Sequence, residues 1–199
     1  RLFASSAILL AIVWSIAPGK IQPDTKFNLV VQPWQYLQRA LFSWNDHAGL
    51  GELQNQAYGY LFPMGPVFGI ADSLGMPAWA SQRVWWSLLL LVGFFGAYRL
   101  AMRIGKLNSD LAIVVAVVYV VSPRFLSVLA EISIEAWPAS IAPWLVLVAA
   151  NMVDQSHNRV LLMRGAAVTA LLVSALGGVN ATASLAVLLI PFMWIATAS

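Results

Sequence analysis

The residues able to do chemistry are few. In "QPDTKFN" a lone carboxylate, Asp24, stands beside Pro23 and two positions before Lys26. Such an Asp is first a loop residue, or an N-cap whose approach the proline fixes. Second, it is a base placed to take a proton from a hydroxyl. Asp46, His47 and Glu52 in "WNDHAGLGELQNQ" offer donors that divalent cations accept, but their spacing matches no ligand pattern and a polar turn explains them better. Gln54, Asn55 and Gln56 pair donors with acceptors, as sugar hydroxyls require. Trp34, Trp44 and Trp137 offer faces for sugar rings, although Trp also populates membrane interfaces. Glu131 and Glu135, at i and i+4, are expected to share a helix face that binds sugar hydroxyls or a cation; a wet loop edge suits them equally. Arg83 and Arg124 carry the planar fork that suits a lipid phosphate, and both could equally snorkel to headgroups. The "NAT" at Asn180 is a formal glycosylation acceptor in a tight turn, or simply a helix cap. No nucleophile elbow, P-loop or GxGxxG occurs, and no Cys, which excludes disulfides and thiolate metal sites.

These groups need elements to position them, and composition says which kind. The chain is 60% hydrophobic and 10% charged, with mean hydropathy +0.78. Soluble domains are about 25% charged, so the solvent this surface suits is lipid. The net charge of +3 includes no basic run of the kind that binds nucleic acid. The chain begins at Arg1 and stops at Ser199 inside an apolar run, which reads as a piece of a longer membrane protein. The first apolar run lacks a small-residue cleavage site and reads as a retained anchor. Apolar runs predict an all-α polytopic membrane protein with six spans, near residues 2–17, 79–98, 107–121, 135–152, 164–178 and 184–198. The Pro- and Gly-rich run 57–71 is expected not to span. Arg1, Arg99, Arg103, Lys106, Arg159 and Arg164 then fall on one side, and that bias makes it the cytoplasmic side. Residues 18–78 become one extracytoplasmic loop. Within it, Pro33 opens a pattern of Trp34, Leu37, Leu41 and Trp44 that predicts an amphipathic helix flat in the interface.

Long stretches carry a resemblance. "GKIQPDTKFNLVVQPWQYLQRALFSW", "GELQNQAYGYLFPMGPVF", "QRVWWSLLLL", "YVVSPRFLSVLAEISIEAWPASIAPW" and "GGVNATA" together resemble the N-terminal region of the actinobacterial arabinofuranosyltransferase D family, over essentially the whole chain. The resemblance implies a GT-C glycosyltransferase fold, with interfacial helices and an acidic catalytic residue in the first extracytoplasmic loop; the matching position is Asp24. It implies a decaprenyl-phosphoryl-arabinofuranose donor, an arabinan acceptor attacked through its 3-hydroxyl, inversion, and residence in the plasma (inner) membrane with chemistry on the extracytoplasmic face. Lys26, Arg83 and Arg124 are then candidates to offset the departing phosphate, with Gln54, Asn55, Gln56, Glu131 and Glu135 as further sugar-binding groups. A single-phosphate donor and the lone acid of "PDTK" argue for no cofactor and against a divalent cation. The resemblance also implies an acyl carrier protein as a cytoplasmic partner, which the basic loops could receive, although topology alone explains those charges. Another polyprenyl-phosphate-sugar transferase, such as a mannosyltransferase, and a transporter or flippase are the competing expectations. The nearly charge-free spans and the polar outer loop favour interfacial chemistry over transport.

Overall fold

The computed structural model describes residues 1–24, 26–45, 50–54, 57–177 and 179–198. The order of elements is α1 (Leu2–Ser15), α2 (Phe27–Val31), α3 (Pro33–Ala40), a hairpin of β1 (Trp44–Asn45) and β2 (Glu52–Leu53), a 3-10 turn (Ala57–Tyr60), α4 (Met64–Ser73), α5 (Ala78–Arg103), α6 (Ser109–Val120), α7 (Pro123–Glu131), α8 (Ser133–Asp154), α9 (Arg159–Ser174) and α10 (Ala181–Ala198). The architecture is the expected helical one.

Helix boundaries follow local chemistry. Asn108 accepts from the Leu111 N–H to open α6, Asn158 accepts from Val160 and Leu161 to open α9, and Asn180 accepts from Ala183 at the head of α10. Ser122 caps α7 ahead of Pro123, whose fixed φ suits the first helical position. Pro33 does the same for α3, so the helix expected from Trp34 forms, although it ends at Ala40, before Leu41 and Trp44.

Helix α5 has 26 residues, about 39 Å at the α-helical rise, and it and α8 are long and apolar enough to cross a membrane. Helices α6 and α7 pass the same test as one span bent by 45°, while α1 and α10 are shorter apolar helices. The run 57–71 becomes the 3-10 turn and ten-residue α4, about 15 Å long and too short for a hydrocarbon core of about 30 Å.

The core gathers on α5, with Trp85, Leu89 and Phe94 wholly buried. A side-chain carbon on Gly96 would lie 2.6 Å from the Trp144 indole nitrogen of α8, and one on Gly93 would lie 3.2 Å from Val120 of α6. These absences of side chain let the helices close in. Trp144 then donates to the Val92 carbonyl (2.9 Å) and Tyr119 to the Ala139 carbonyl (2.6 Å), joining α8 to α5 and to α6. Against this bundle lies a collar of short elements. Leu37 and Trp34 of α3 fill the space over Gly65 and Gly69 of α4, and the 3-10 turn at Gly59 meets Val179 and the carbonyl of Gly177.

The two ends of the bundle differ in charge. At one, Arg1 pairs with Asp110, Arg103 with Asp154 (2.6 Å), and the Arg99 guanidinium lies 5.3 Å over Trp144. Arg1, Arg99 and Arg103 thus stand against the start of α6 and the later part of α8. The starts of α5, α8 and α10 lie at the other end, with the collar.

Candidate active site

After α1 the chain must return to the head of α5, and it is held there through its main chain. Gln82 is wholly buried and uses both ends of its amide on one residue: Oε1 accepts from the Gln22 N–H and Nε2 donates to the Gln22 carbonyl, each at 3.0 Å. Arg83, also wholly buried, donates from Nη2 to the carbonyls of Ile16 (2.9 Å) and Lys20 (3.3 Å) and from Nη1 to Gln82 (3.1 Å). Its guanidinium lies 4.5 Å over the Trp86 ring. The carbonyls at a helix end lack helical partners, and a buried fork of five donors meets that need.

This places Asp24 beside the start of α8. The Ser133 hydroxyl donates to Asp24 Oδ2, while Ser133 Oγ accepts from the Trp85 indole N–H (3.0 Å). Ser133 and Trp85 are wholly buried; Asp24 is half-buried. The carboxylate borders an open recess of about 450 Å³ lined by Pro23, Asp24, Ala130 and Glu131. Lys26 precedes α2, with its ammonium 5.8 Å over the Tyr60 ring. Tyr36 meets Tyr60 edge-on at 6.2 Å, and burial, with Tyr60 second, holds its phenol above the usual range.

Glu131 and Glu135 do not share a helix face. The chain breaks at Ile132 (φ −141°, ψ 72°), so Glu131 ends α7 and turns to the Asp24 recess while Glu135 belongs to α8. Glu135 accepts from the Asn180 amide (2.7 Å) and borders a mainly apolar groove of about 270 Å³ between α6, α7, α8 and α10. Arg124, exposed on α7, sits at that groove with Tyr119, Phe125 and Val187. Gln54 lies elsewhere: its side chain donates to the Arg39 carbonyl (2.7 Å), and with Phe42 and Trp44 it borders a separate recess of about 530 Å³. Trp34 donates to Ser73 (3.1 Å), and Trp137 packs 5.9 Å from Trp85 and donates to the Ala175 carbonyl (2.7 Å). Asn55, Gln56, Asp46 and His47 lie outside the described residues.

Asp24 and Glu131 are thus brought together, Arg124 and Glu135 meet at a neighbouring groove, and Arg83 lies beneath, occupied by carbonyls. Ser133, Trp85 and Gln82 are the partners that sequence reasoning missed. Ser133 lies 109 residues from Asp24, and no local spacing reports such a contact.

A multi-pass helical bundle with an interfacial collar between its first apolar helix and α5 is the architecture of a GT-C membrane domain. The chain superposes on a cryo-EM structure of the arabinofuranosyltransferase AftD from Mycobacteria, a mutant in its second class, with TM-score 0.88 and 39% identity over 97% of this chain and 15% of that one. A second cryo-EM structure of AftD from Mycobacteria gives 0.84 and 37%, over 97% and 14%. Residues 8–199 match the family described as "Alpha-(1->3)-arabinofuranosyltransferase, N-terminal GT-C domain", and the chain belongs to that family. It is 40% identical over 190 residues to the alpha-(1->3)-arabinofuranosyltransferase of Mycolicibacterium smegmatis and 41% identical over 188 residues to that of Mycobacterium tuberculosis. It spans 13% of the length of each of these curated relatives.

Proposed function

We propose that this domain supplies the catalytic base of an inverting arabinofuranosyltransferase. Its donor is decaprenyl-phosphoryl-arabinofuranose and its acceptor the 3-hydroxyl of an arabinan in cell-wall arabinogalactan or lipoarabinomannan. The observation that carries this is Asp24: a half-buried carboxylate bordering an open recess at the less basic end of the bundle, in a family with curated members named alpha-(1->3)-arabinofuranosyltransferase. In this reading the protein lies in the plasma membrane, and the Lys/Arg bias supports a cytoplasmic Arg1, Arg99 and Arg103 end with the Asp24 end outside.

The step balances simply. The acceptor 3-hydroxyl oxygen attacks the anomeric carbon and gives its proton to Asp24. The bond from that carbon to the phosphate oxygen breaks, and its electron pair leaves with the polyprenyl phosphate. Arg124 at its apolar groove has both attributes the donor needs, a fork for phosphate and walls for an isoprenoid. Lys26 is the second cation near the base. Arg83 contributes by fixing the segment that carries Asp24 rather than by touching substrate.

A transporter would place its charges at the midplane. Arg83, the charged residue most deeply buried in a long helix, lies five residues into α5 and meets the carbonyls that follow α1, close to the membrane boundary. The test is transfer from decaprenyl-phosphoryl-arabinofuranose by a full-length family member carrying this domain. Asp24→Asn should lower turnover by at least about 100-fold with donor binding retained. Normal turnover in that variant would remove Asp24 as the base. Efficient competition by the mannose-bearing donor would favour a different sugar specificity.

A further inference from the structure

We propose that Ser133 and Trp85 form a two-step positioning relay that fixes both the direction of the Asp24 carboxylate and its readiness to accept a proton. The relay rests on the assignment of Asp24 as base, and its test separates the two.

An indole N–H can only donate, and a serine hydroxyl has a single proton to give. The Trp85 N–H donates to Ser133 Oγ at 3.0 Å, so the lone pair it occupies is no longer available to accept elsewhere. The Ser133 proton is then free to point away from Trp85, and it points at Asp24 Oδ2. Both relay residues are wholly buried, so no solvent reaches the Trp85–Ser133 bond, and the Ser133 hydroxyl meets Asp24 from the protein side of the recess. Trp85 is itself held by tilted packing on Trp137, whose own N–H is anchored on the Ala175 carbonyl at 2.7 Å. A hydrogen bond donated to a carboxylate favours its charged form. The charged form is the one a base must have at the start of the step. Neither Ser133 nor Trp85 touches the recess that Asp24 borders, so both act through Asp24 and not on substrate.

Other charged or titratable groups stand near this carboxylate. Glu131 of α7 shares the recess, Lys26 follows two residues on over the Tyr60 ring, and Arg83 of α5 is buried under the preceding segment. None of them changes in the variants below, so a difference from the parent isolates the relay.

The experiment compares Ser133→Ala, Trp85→Phe and Asp24→Asn in a full-length family member, measuring kcat and KM against pH for arabinofuranosyl transfer, with thermal unfolding in detergent as the control for folding. Ser133→Ala should lower kcat by roughly tenfold to a hundredfold with KM unchanged. It should also move the acid limb of the kcat profile to higher pH by about one unit, because a hydrogen bond to a charged group has been lost. Trp85→Phe keeps an aromatic ring at that site but removes the N–H together with part of the buried indole, so the folding control applies to it as well; the freed hydroxyl can then turn, and the acid limb should move in the same direction by less. An unmoved acid limb in a folded Ser133→Ala protein overturns the relay. If that variant does not fold, an unmoved limb in Trp85→Phe overturns it instead. Full activity of Asp24→Asn is a different failure: it removes the base itself, whatever the two relay variants do.

Discussion

A buried arginine that serves carbonyls has a different energetic signature from one that serves a carboxylate. Replacing both partners of a buried ion pair with apolar groups can be neutral, whereas removing one partner leaves the other desolvated. The carbonyls of Ile16 and Lys20 cannot be mutated away, so Arg83→Met should leave them unpaired and destabilise the protein by about 3 kcal/mol, at about 1–3 kcal/mol for each orphaned acceptor. Thermal unfolding in detergent reads this directly. A fall in stability together with a loss of turnover at unchanged KM would place the effect on the Asp24 segment. The same residue shows what a sequence conceals. "QRVWW" offers an amide, a fork and two indoles, and the fork suggested phosphate; only the fold reveals that the amide and fork face backbone and that the first indole faces Ser133.

At the scale of elements, the glycines of α5 set how close its neighbours come. Gly96→Ala should push the Trp144 ring away, break its bond to the Val92 carbonyl and cost about 1–3 kcal/mol, measurable as a lowered unfolding midpoint. The helices themselves were legible, because long apolar runs and Asn caps are local signals. The break at Ile132 was not: the i, i+4 spacing of Glu131 and Glu135 allowed either a shared helix face or a loop edge, and the chain instead turns between two helices there. Helix α7 has a local signal of its own. Ser122-Pro123 is an ordinary cap followed by a first-turn proline, and it marks a new helix where an outer loop was expected. Asp24 was legible as a residue because a lone acid just beyond a span stands out. Its partners were not, because they lie on α5 and α8, far along the chain.

At the scale of the molecule, the chain has a chemical tool for its own topology. It contains no Cys, so single cysteines can be placed at will. Asn28, exposed on α2 at the collar, and Asn108, exposed at the opposite end before α6, are suitable sites. In intact cells a membrane-impermeant maleimide should label Asn28→Cys, and should label Asn108→Cys only after permeabilisation. Equal labelling of both from outside would overturn the assignment of the loop 18–78 to the outer face. The ion pairs at the Asn108 end, Arg1 with Asp110 and Arg103 with Asp154, are solvent-exposed, and pairs of that kind contribute about 0–1 kcal/mol each. Their removal should perturb orientation more than stability.

The paired bonds between Gln82 and Gln22 imply an asymmetry in how this domain can drift over generations. Gln82 reads only the backbone N–H and carbonyl of its partner, so position 22 is free to change its side chain, to anything but proline, without moving the acid two residues later. Position 82 has no such latitude, because no other side chain offers a donor and an acceptor at that reach. Among homologues the letter at 22 should wander while the amide at 82 stays, and an active family member lacking it would need another way to pin the strand of chain on which its acid rides.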